Sequence, residues 1–169
     1  MNESTGETAD AAAEAAGSGS VDAEYVPSPS ERVRDQVARY EATGGVEGGE
    51  LGGLPVVILT TTGARSGKTR KNPVMRVEQD GVYAAIASYA GNPENPRWYY
   101  NLLAHPYAIV QDGPEIRRVR AREVFDEEKL VWWAVADALN PTYARYRAAA
   151  GRDIPILALE PADWADEVG

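Results

Sequence analysis

Apolar positions fall in short blocks, and the spacing inside each block separates strand from helix. The run Val56, Val57, Ile58 and Leu59 is continuous, so residues 54 to 61 read as a buried strand, with residues 72 to 79 as its partner. Asp80-Gly81 is a tight-turn signal that leads into a third strand over 82 to 88. A second hairpin runs from 107 to 111, turns at Asp112-Gly113 and returns over 115 to 125, with Ile116, Arg118, Arg120 and Arg122 alternating against Arg117, Val119 and Ala121. A last strand is expected at 155 to 159. Helical spacing appears after Ser30, an N-cap residue, where Val33, Val37 and Tyr40 share a face until Gly44-Gly45 stops the helix near Thr43. Pro96 opens a short helix over 97 to 104, carrying Trp98, Tyr99, Tyr100, Leu102 and Leu103. Asp126 starts a longer helix to Leu139, with Leu130, Trp133, Ala134 and Leu139 turned to the core, and Asn140-Pro141 interrupts it before a further helical turn or two over 142 to 150. Antiparallel hairpins with helices between them predict a mainly β, α+β fold: a small barrel with short helices packed outside.

Composition divides the chain. Residues 1 to 28 hold Ala, Gly, Ser, Thr and acidic residues without Lys or Arg, too little apolar surface to offset ordering, so they are expected as a disordered acidic tail. Residues 29 to 53 form the amphipathic helix and a Gly-rich linker, 54 to 161 the barrel domain, and 162 to 169 a C-terminal tail. With 169 residues, one domain with a sizeable core is the natural reading. There is no cysteine, hence no disulfide or thiol chemistry, and the single His105 excludes a histidine-rich metal site; no metal is expected. No apolar run approaches the roughly 20 residues that span a bilayer, and no signal peptide is read, so a cytoplasmic setting is expected. The net charge of -9 argues against nucleic acid as a partner.

Against that acidity, Arg65, Lys68, Arg70, Lys71 and Arg76 follow one another with no acidic residue between. Gly63 and Gly67 free the backbone to turn N–H groups towards an anion, and Ser66 and Thr69 add hydroxyls. The loop suits a phosphate or a polycarboxylate. It is not a Walker loop, because the four-residue gap before Gly67-Lys68-Thr69 is missing.

The blocks Thr61-Thr62-Gly63-Ala64-Arg65-Ser66-Gly67-Lys68, Asn72-Pro73-Val74-Met75-Arg76, Ala87-Ser88, Asn95-Pro96-Arg97-Trp98-Tyr99-Tyr100-Asn101-Leu102 and Ala121-Arg122-Glu123-Val124 resemble, in this order, the deazaflavin-dependent nitroreductases of actinobacteria, which use coenzyme F420 on a split β-barrel of the FMN-binding type. The resemblance covers about 54 to 161. It implies that Arg65, Ser66, Gly67, Lys68, Arg70 and Lys71 hold the phosphate and acidic tail of the coenzyme. It further implies that Pro73, Val74, Met75, Ala87 and Ser88 flank the deazaflavin ring, and that Pro96, Trp98, Tyr99 and Asn101 belong to the helix over it. Plain core packing is the competing role for Trp98, and shaping the strand is that of Pro73. Tyr143 and Tyr146 share a helix face and resemble the family's substrate-side tyrosines, although close members carry a further tyrosine where this chain has Asn140. That departure bears on the acceptor.

The expected reaction is hydride transfer from reduced F420 to an electron-poor small-molecule acceptor, a quinone, enone or nitroaromatic, with Ser88, Tyr143 and Tyr146 as the catalytic candidates. Rival readings are an FMN- or haem-using split barrel, and a non-catalytic F420 carrier. A helix over 30 to 43 also admits peripheral membrane contact, with packing against the barrel as its more natural use. The oligomeric state is open, a dimer being admitted by analogy.

Overall fold

A computed structural model describes residues 23–163. Helix α1, Glu31–Thr43, begins where Ser30 Oγ accepts the N–H of Val33 and ends at Gly44 with φ +62°. Seven further elements alternate as hairpins with helices between them: β1 Glu50–Leu51, β2 Leu54–Thr62, β3 Thr69–Met75, β4 Glu78–Gln79, β5 Val82–Ile86, α2 Arg97–Ala104 and β6 Tyr107–Asp112. The chain then runs through β7 Glu115–Glu123, α3 Asp126–Leu139, α4 Tyr143–Ala150 and β8 Ile156–Pro161. The strands make one curled antiparallel sheet in the order β1-β2-β6-β7-β8-β5-β4, with β3 paired to β2 on its other side. This is the small barrel that the hairpin pattern predicts, in the split form that the resemblance implies.

Because successive strand residues point to opposite faces, the sheet supplies several cores. Leu59, Ala85, Ala87, Val110 and Leu157 point inward, and Trp98 and Leu102 of α2 close that interior. On the outer face Ile86, Ile156 and Ala158 are covered by Trp132 and Ala136 of α3 and by Tyr143 of α4. Val56 and Ile58 are covered by Val37 and Tyr40 of α1. The Tyr40 hydroxyl accepts the N–H of Gly113 at 2.7 Å and lies 3.2 Å from the carbonyls of Val56 and Gln111, so the helix is pinned to the hairpin behind it. The Gly-rich linker packs tightly against the same helix: Gln36 donates to the carbonyls of Gly48 and Glu50, and a Cβ on Gly49 would lie 2.3 Å from the Gly45 carbonyl oxygen. The apolar face of α1 is therefore turned onto the sheet rather than towards a bilayer. No helix among the described residues is long and apolar enough to cross a membrane.

The face expected for α3 is wrong. Lys129, Trp132 and Ala136 are buried, whereas Leu130 and Leu139 are 68% and 49% exposed, Ala134 is exposed and Trp133 half-buried. Apolar residues run without interruption from Leu130 to Ala136, so helical spacing supplies no phase. Buried Lys129 instead reaches Asp153 at 3.0 Å.

Residues 1–22 of the expected tail, and 164–169 of the C-terminal one, lie outside the described residues. Residues 23–28 do not behave as a free tail. Thr69 donates its N–H to the Glu24 carbonyl at 2.9 Å and accepts from the N–H of Val26 at 3.0 Å, while its hydroxyl reaches the Ala23 carbonyl at 3.1 Å. Tyr25 and Val26 are bulky enough to give this piece surface to bury, where the residues before it have little.

Candidate cofactor and acceptor site

The ladder between β2 and β3 extends to Thr62 opposite Thr69, so residues 63–68 alone make the basic turn. It is closed from within. Gly63 N–H donates to Lys68 O at 2.7 Å, Gly67 N–H to Gly63 O at 3.0 Å, and Lys68 N–H to Ser66 Oγ at 3.1 Å. Ala64 N–H is taken by Asn101 Oδ1 at 2.9 Å. The glycine N–H groups expected to face an anion are thus committed to the loop itself, and a Cβ on Gly63 would lie 2.6 Å from Ser66 Oγ, displacing the hydroxyl that accepts the Lys68 N–H.

Anion binding falls to the side chains, and the structure sorts the five cations. Arg65 and Arg70 have no ionic partner among the described residues. Lys68 has a loose, exposed pairing with Glu24 at 3.7 Å. Lys71 is engaged, 2.6 Å from Glu41 of α1 and 4.9 Å above the Tyr25 ring. Arg76 is drawn away entirely, holding both oxygens of Asp112 at 3.0 Å. Burial alone would raise the Asp112 carboxyl, but the hydrogen bonds from Arg76 and from the Tyr83 hydroxyl outweigh it and hold it below the usual carboxylate range.

From this turn β3 leads away as a strand paired only to β2, and its residues from Thr69 to Met75 are all half-buried. Pro73, which has no N–H to donate, is tolerated at such an edge. Val74 packs on the interior core, whereas Met75 packs on the outer ones. Ala87 is fully buried in the interior, as is nearly all of Trp98, so Trp98 serves the core and has little surface left for a ligand. Pro96 is the buried residue that opens α2. Tyr99 donates to Glu123 at 2.8 Å, and burial together with that carboxylate pushes its hydroxyl up to about 12. Asn101 uses both halves of its amide on the protein, donating to Thr61 Oγ1 at 3.1 Å while accepting from Ala64; it fixes the basic turn onto α2.

On the far side, Tyr143 is 2% exposed, its ring 5.9 Å from Trp133 and 6.0 Å from Tyr146, centroid to centroid. Burial above all, then the proximity of Tyr146 and Asp137, raises its hydroxyl far above the ordinary value, and that hydroxyl has no hydrogen-bond partner among the described residues. Tyr143 and Met75 line one cavity of about 90 Å³ with Leu54, Arg76, Leu139 and Asn140. That is far below the roughly 300–1,000 Å³ of a ligand pocket. Asn140, 4% exposed, turns its Oδ1 onto the N–H of Thr142 at 3.0 Å. Ser88 follows β5 at 8% exposure, and neither its N–H nor its hydroxyl has a partner among the described residues. The turn after it packs on α4, so that a Cβ on Gly91 would lie 3.2 Å from Ala149 Cβ and 3.4 Å from Tyr146 Cα. The structure therefore brings the Ser88 turn to the helix bearing Tyr143 and Tyr146, and Met75 to Tyr143.

Sequence reasoning passed over Arg152. Its guanidinium donates to the carbonyls of Asn92 at 3.1 Å, Ala87 at 3.0 Å, Glu94 at 3.0 Å and Ser88 at 3.4 Å, and to Asn95 Oδ1. Only its place after Gly151, at the end of a helix, marked it as a cation near an element boundary.

The donor set fits a long anionic coenzyme: guanidiniums without an ionic partner among the described residues at one end of a half-buried edge strand, and apolar Val74 and Met75 towards the other. Comparison with known proteins agrees. Residues 32–161 match the family model of the F420H(2)-dependent quinone reductases. The F420H(2)-dependent quinone reductase Rv1261c of Mycobacterium tuberculosis is 30% identical over 132 residues, covering 76% of this chain and 87% of that protein. A solved F420-H2 dependent reductase, FDR-A, is 46% identical with a TM-score of 0.60, over 63% of this chain and 94% of its own. A solved structure described as a domain-swapped dimer is 42% identical with a TM-score of 0.62, over 79% of this chain and 100% of its own.

Proposed function

The chain belongs to the F420H(2)-dependent quinone reductase family and is an F420H2-dependent oxidoreductase; from that premise we propose that it reduces a quinone-type acceptor, with the coenzyme laid along β3. The observation that carries this is the pair of guanidiniums, Arg65 and Arg70, without an ionic partner among the described residues, at the mouth of a half-buried edge strand. Arg65, Lys68 and Arg70 bind the anionic tail, Ser66 adds a hydroxyl and Gly67 shapes the turn, while Lys71, already held by Glu41, contributes charge at longer range. The backbone around Pro73, Val74 and Met75 forms the wall beside the ring, the Val74 and Met75 side chains turning to opposite faces of the strand, and Asn101 holds the basic turn in place from α2.

Bound F420H2 supplies a hydride and a proton, so that with the acceptor the balance is F420H2 plus quinone to F420 plus hydroquinone. What the protein adds is orientation, exclusion of water and hydrogen-bond donors where negative charge gathers on the acceptor oxygen. Ser88 fits that role because its donors are buried and unpaired among the described residues. Tyr143, and beside it Tyr146, fits as a donor that stays protonated: burial raises the Tyr143 hydroxyl, so it does not serve as a base. A dimer is proposed alongside, supported by the solved relative and by the exposed apolar side chains Leu130, Val131 and Leu139 of α3.

Titration of the purified protein with oxidised F420 and, in parallel, with FMN at low and high salt tests the reading. Tighter, salt-sensitive binding of F420, followed by turnover of F420H2 with a soluble naphthoquinone, is expected. FMN binding better than F420, or F420 binding indifferent to salt, overturns it.

A further inference from the structure

Residues Tyr89, Ala90 and Gly91 have φ values of +47°, +53° and +84° in succession. A non-glycine residue in the left-handed region costs about 1–2 kcal/mol, so a turn with two of them relaxes unless its surroundings hold it. One side of that hold is α4, packed so closely that a Cβ at Gly91 would lie 3.2 Å from Ala149 Cβ. The other is Arg152. Its five hydrogen bonds reach Ala87, Ser88, Asn92, Glu94 and Asn95, residues on both sides of the left-handed stretch, so the guanidinium spans the turn and ties its two ends together.

Two details show that this is more than surface decoration. Arg152 has no carboxylate partner among the described residues, so its charge is balanced only by carbonyl dipoles. The carbonyls of Ala87 and Ser88 belong to the peptide units whose N–H groups are those of Ser88 and Tyr89, and a cation on the oxygen polarises the N–H at the other end of each unit. The residue so served, Ser88, is buried, and its N–H and hydroxyl are both without a partner among the described residues.

We infer that Arg152 is the positioning residue of the acceptor side of the site: by clamping the 87–95 turn in its left-handed form, it holds Ser88 where its N–H and hydroxyl meet the acceptor oxygen. The inference rests on the reading of Ser88 given above. Arginine is needed because a planar fork serves several carbonyls in fixed directions, whereas an ammonium has three donors and no such plane.

The test compares Arg152→Ala, Arg152→Lys, Ser88→Ala and the Arg152→Ala/Ser88→Ala double variant, measuring F420 affinity separately from kcat with a soluble naphthoquinone. Arg152→Ala is expected to lower kcat by roughly 10- to 100-fold, less than the roughly 100- to 1,000-fold of a deleted oxyanion donor because Ser88 is displaced rather than removed, while F420 affinity stays within about twofold because the basic turn is untouched. Millimolar guanidinium should restore part of the Arg152→Ala activity, Arg152→Lys should fall between, and Ser88→Ala should add little in the Arg152→Ala background. Unchanged kcat in Arg152→Ala, or effects of Arg152→Ala and Ser88→Ala that multiply, overturns the inference while leaving the cofactor reading intact. If the alanine variant does not fold, the lysine variant decides: loss of F420 affinity in step with kcat makes the role merely structural. Failure of the unsubstituted chain to bind F420 sinks the cofactor reading, and this inference with it.

Discussion

The basic turn at 63–68 and the turn at 88–91 both follow a strand of the barrel and both close with hydrogen bonds of their own, yet they are anchored differently. The first is largely exposed, carries separate cations and is tied from outside by Asn101 and, loosely, by the pairing of Lys68 with Glu24. The second begins at buried Ser88, bears no charge and, beyond its own bonds from Gly91 N–H to Ser88 O and from Asn92 N–H to Tyr89 O, is held from outside by Arg152, 64 positions along from Ser88, and by the face of α4. Charges spread over several side chains weaken by degrees when one is lost. A turn held by a single hub fails as a unit.

That contrast is open to attack from either side. The largest effect is expected from Arg65→Ala/Arg70→Ala, which should lower F420 affinity about 100-fold at low salt, at roughly tenfold for each charged contact. The loss should shrink at high salt, and titrations at two ionic strengths check this. Gly91→Ala attacks the other turn: a Cβ at φ +84° and 3.2 Å from Ala149 should depress turnover roughly tenfold and lower Tm by several degrees, with F420 affinity kept. Equal losses of affinity and turnover would erase the distinction between the two regions. Asn101→Ala should come next, loosening the basic turn without changing its charge. Leaving the Ala64 N–H unpaired costs about 1–3 kcal/mol, visible as a lower Tm and a several-fold weaker F420 complex that is no less salt-dependent. A smaller effect concerns pH. The hydroxyls of Tyr83 and Tyr99 are pushed up to about 12, so between roughly pH 10 and 12 the unfolded chain loses these protons before the folded one does. Stability is therefore complete below pH 10 and falls as pH rises towards 12, and Tyr99→Phe should flatten the decline in Tm across that window. The smallest effect is that of Glu41→Gln, which releases Lys71 and should strengthen F420 binding by no more than about twofold, since such pairs contribute about 0–1 kcal/mol.

Much of the fold could be read from local signals, because local signals cause it. Ser30 and Gly44 bound α1, Pro96 opens α2 and Asp80-Gly81 turns its hairpin, whereas the second hairpin turns one residue later than expected, at Gly113-Pro114, because Asp112 pairs with Glu115. The start of β3 was missed by three residues, since Thr69, Arg70 and Lys71 look like loop until their pairing with Thr62, Thr61 and Thr60 is known. The buried face of α3 was misread because its apolar run is unbroken. In the site, the cations were visible as a charge cluster, but their sorting depends on Glu41, Glu24 and Asp112, which reach them only through the fold. Arg152 was invisible for the same reason: its partners are backbone carbonyls, and no residue type announces those.

The position of β8 has a consequence for how the protein is made. The last strand in the chain is not at an edge of the sheet but in its middle, paired to β7 on one side and β5 on the other. Until residue 156 and its successors emerge during synthesis, β5 and β7 both present open edges, Ala84 and Ile86 have no strand beside them, and the barrel cannot close. The strands before β8 therefore wait as a half-formed sheet until residues 156–161 complete it, which makes β8 the late, long-range step in folding.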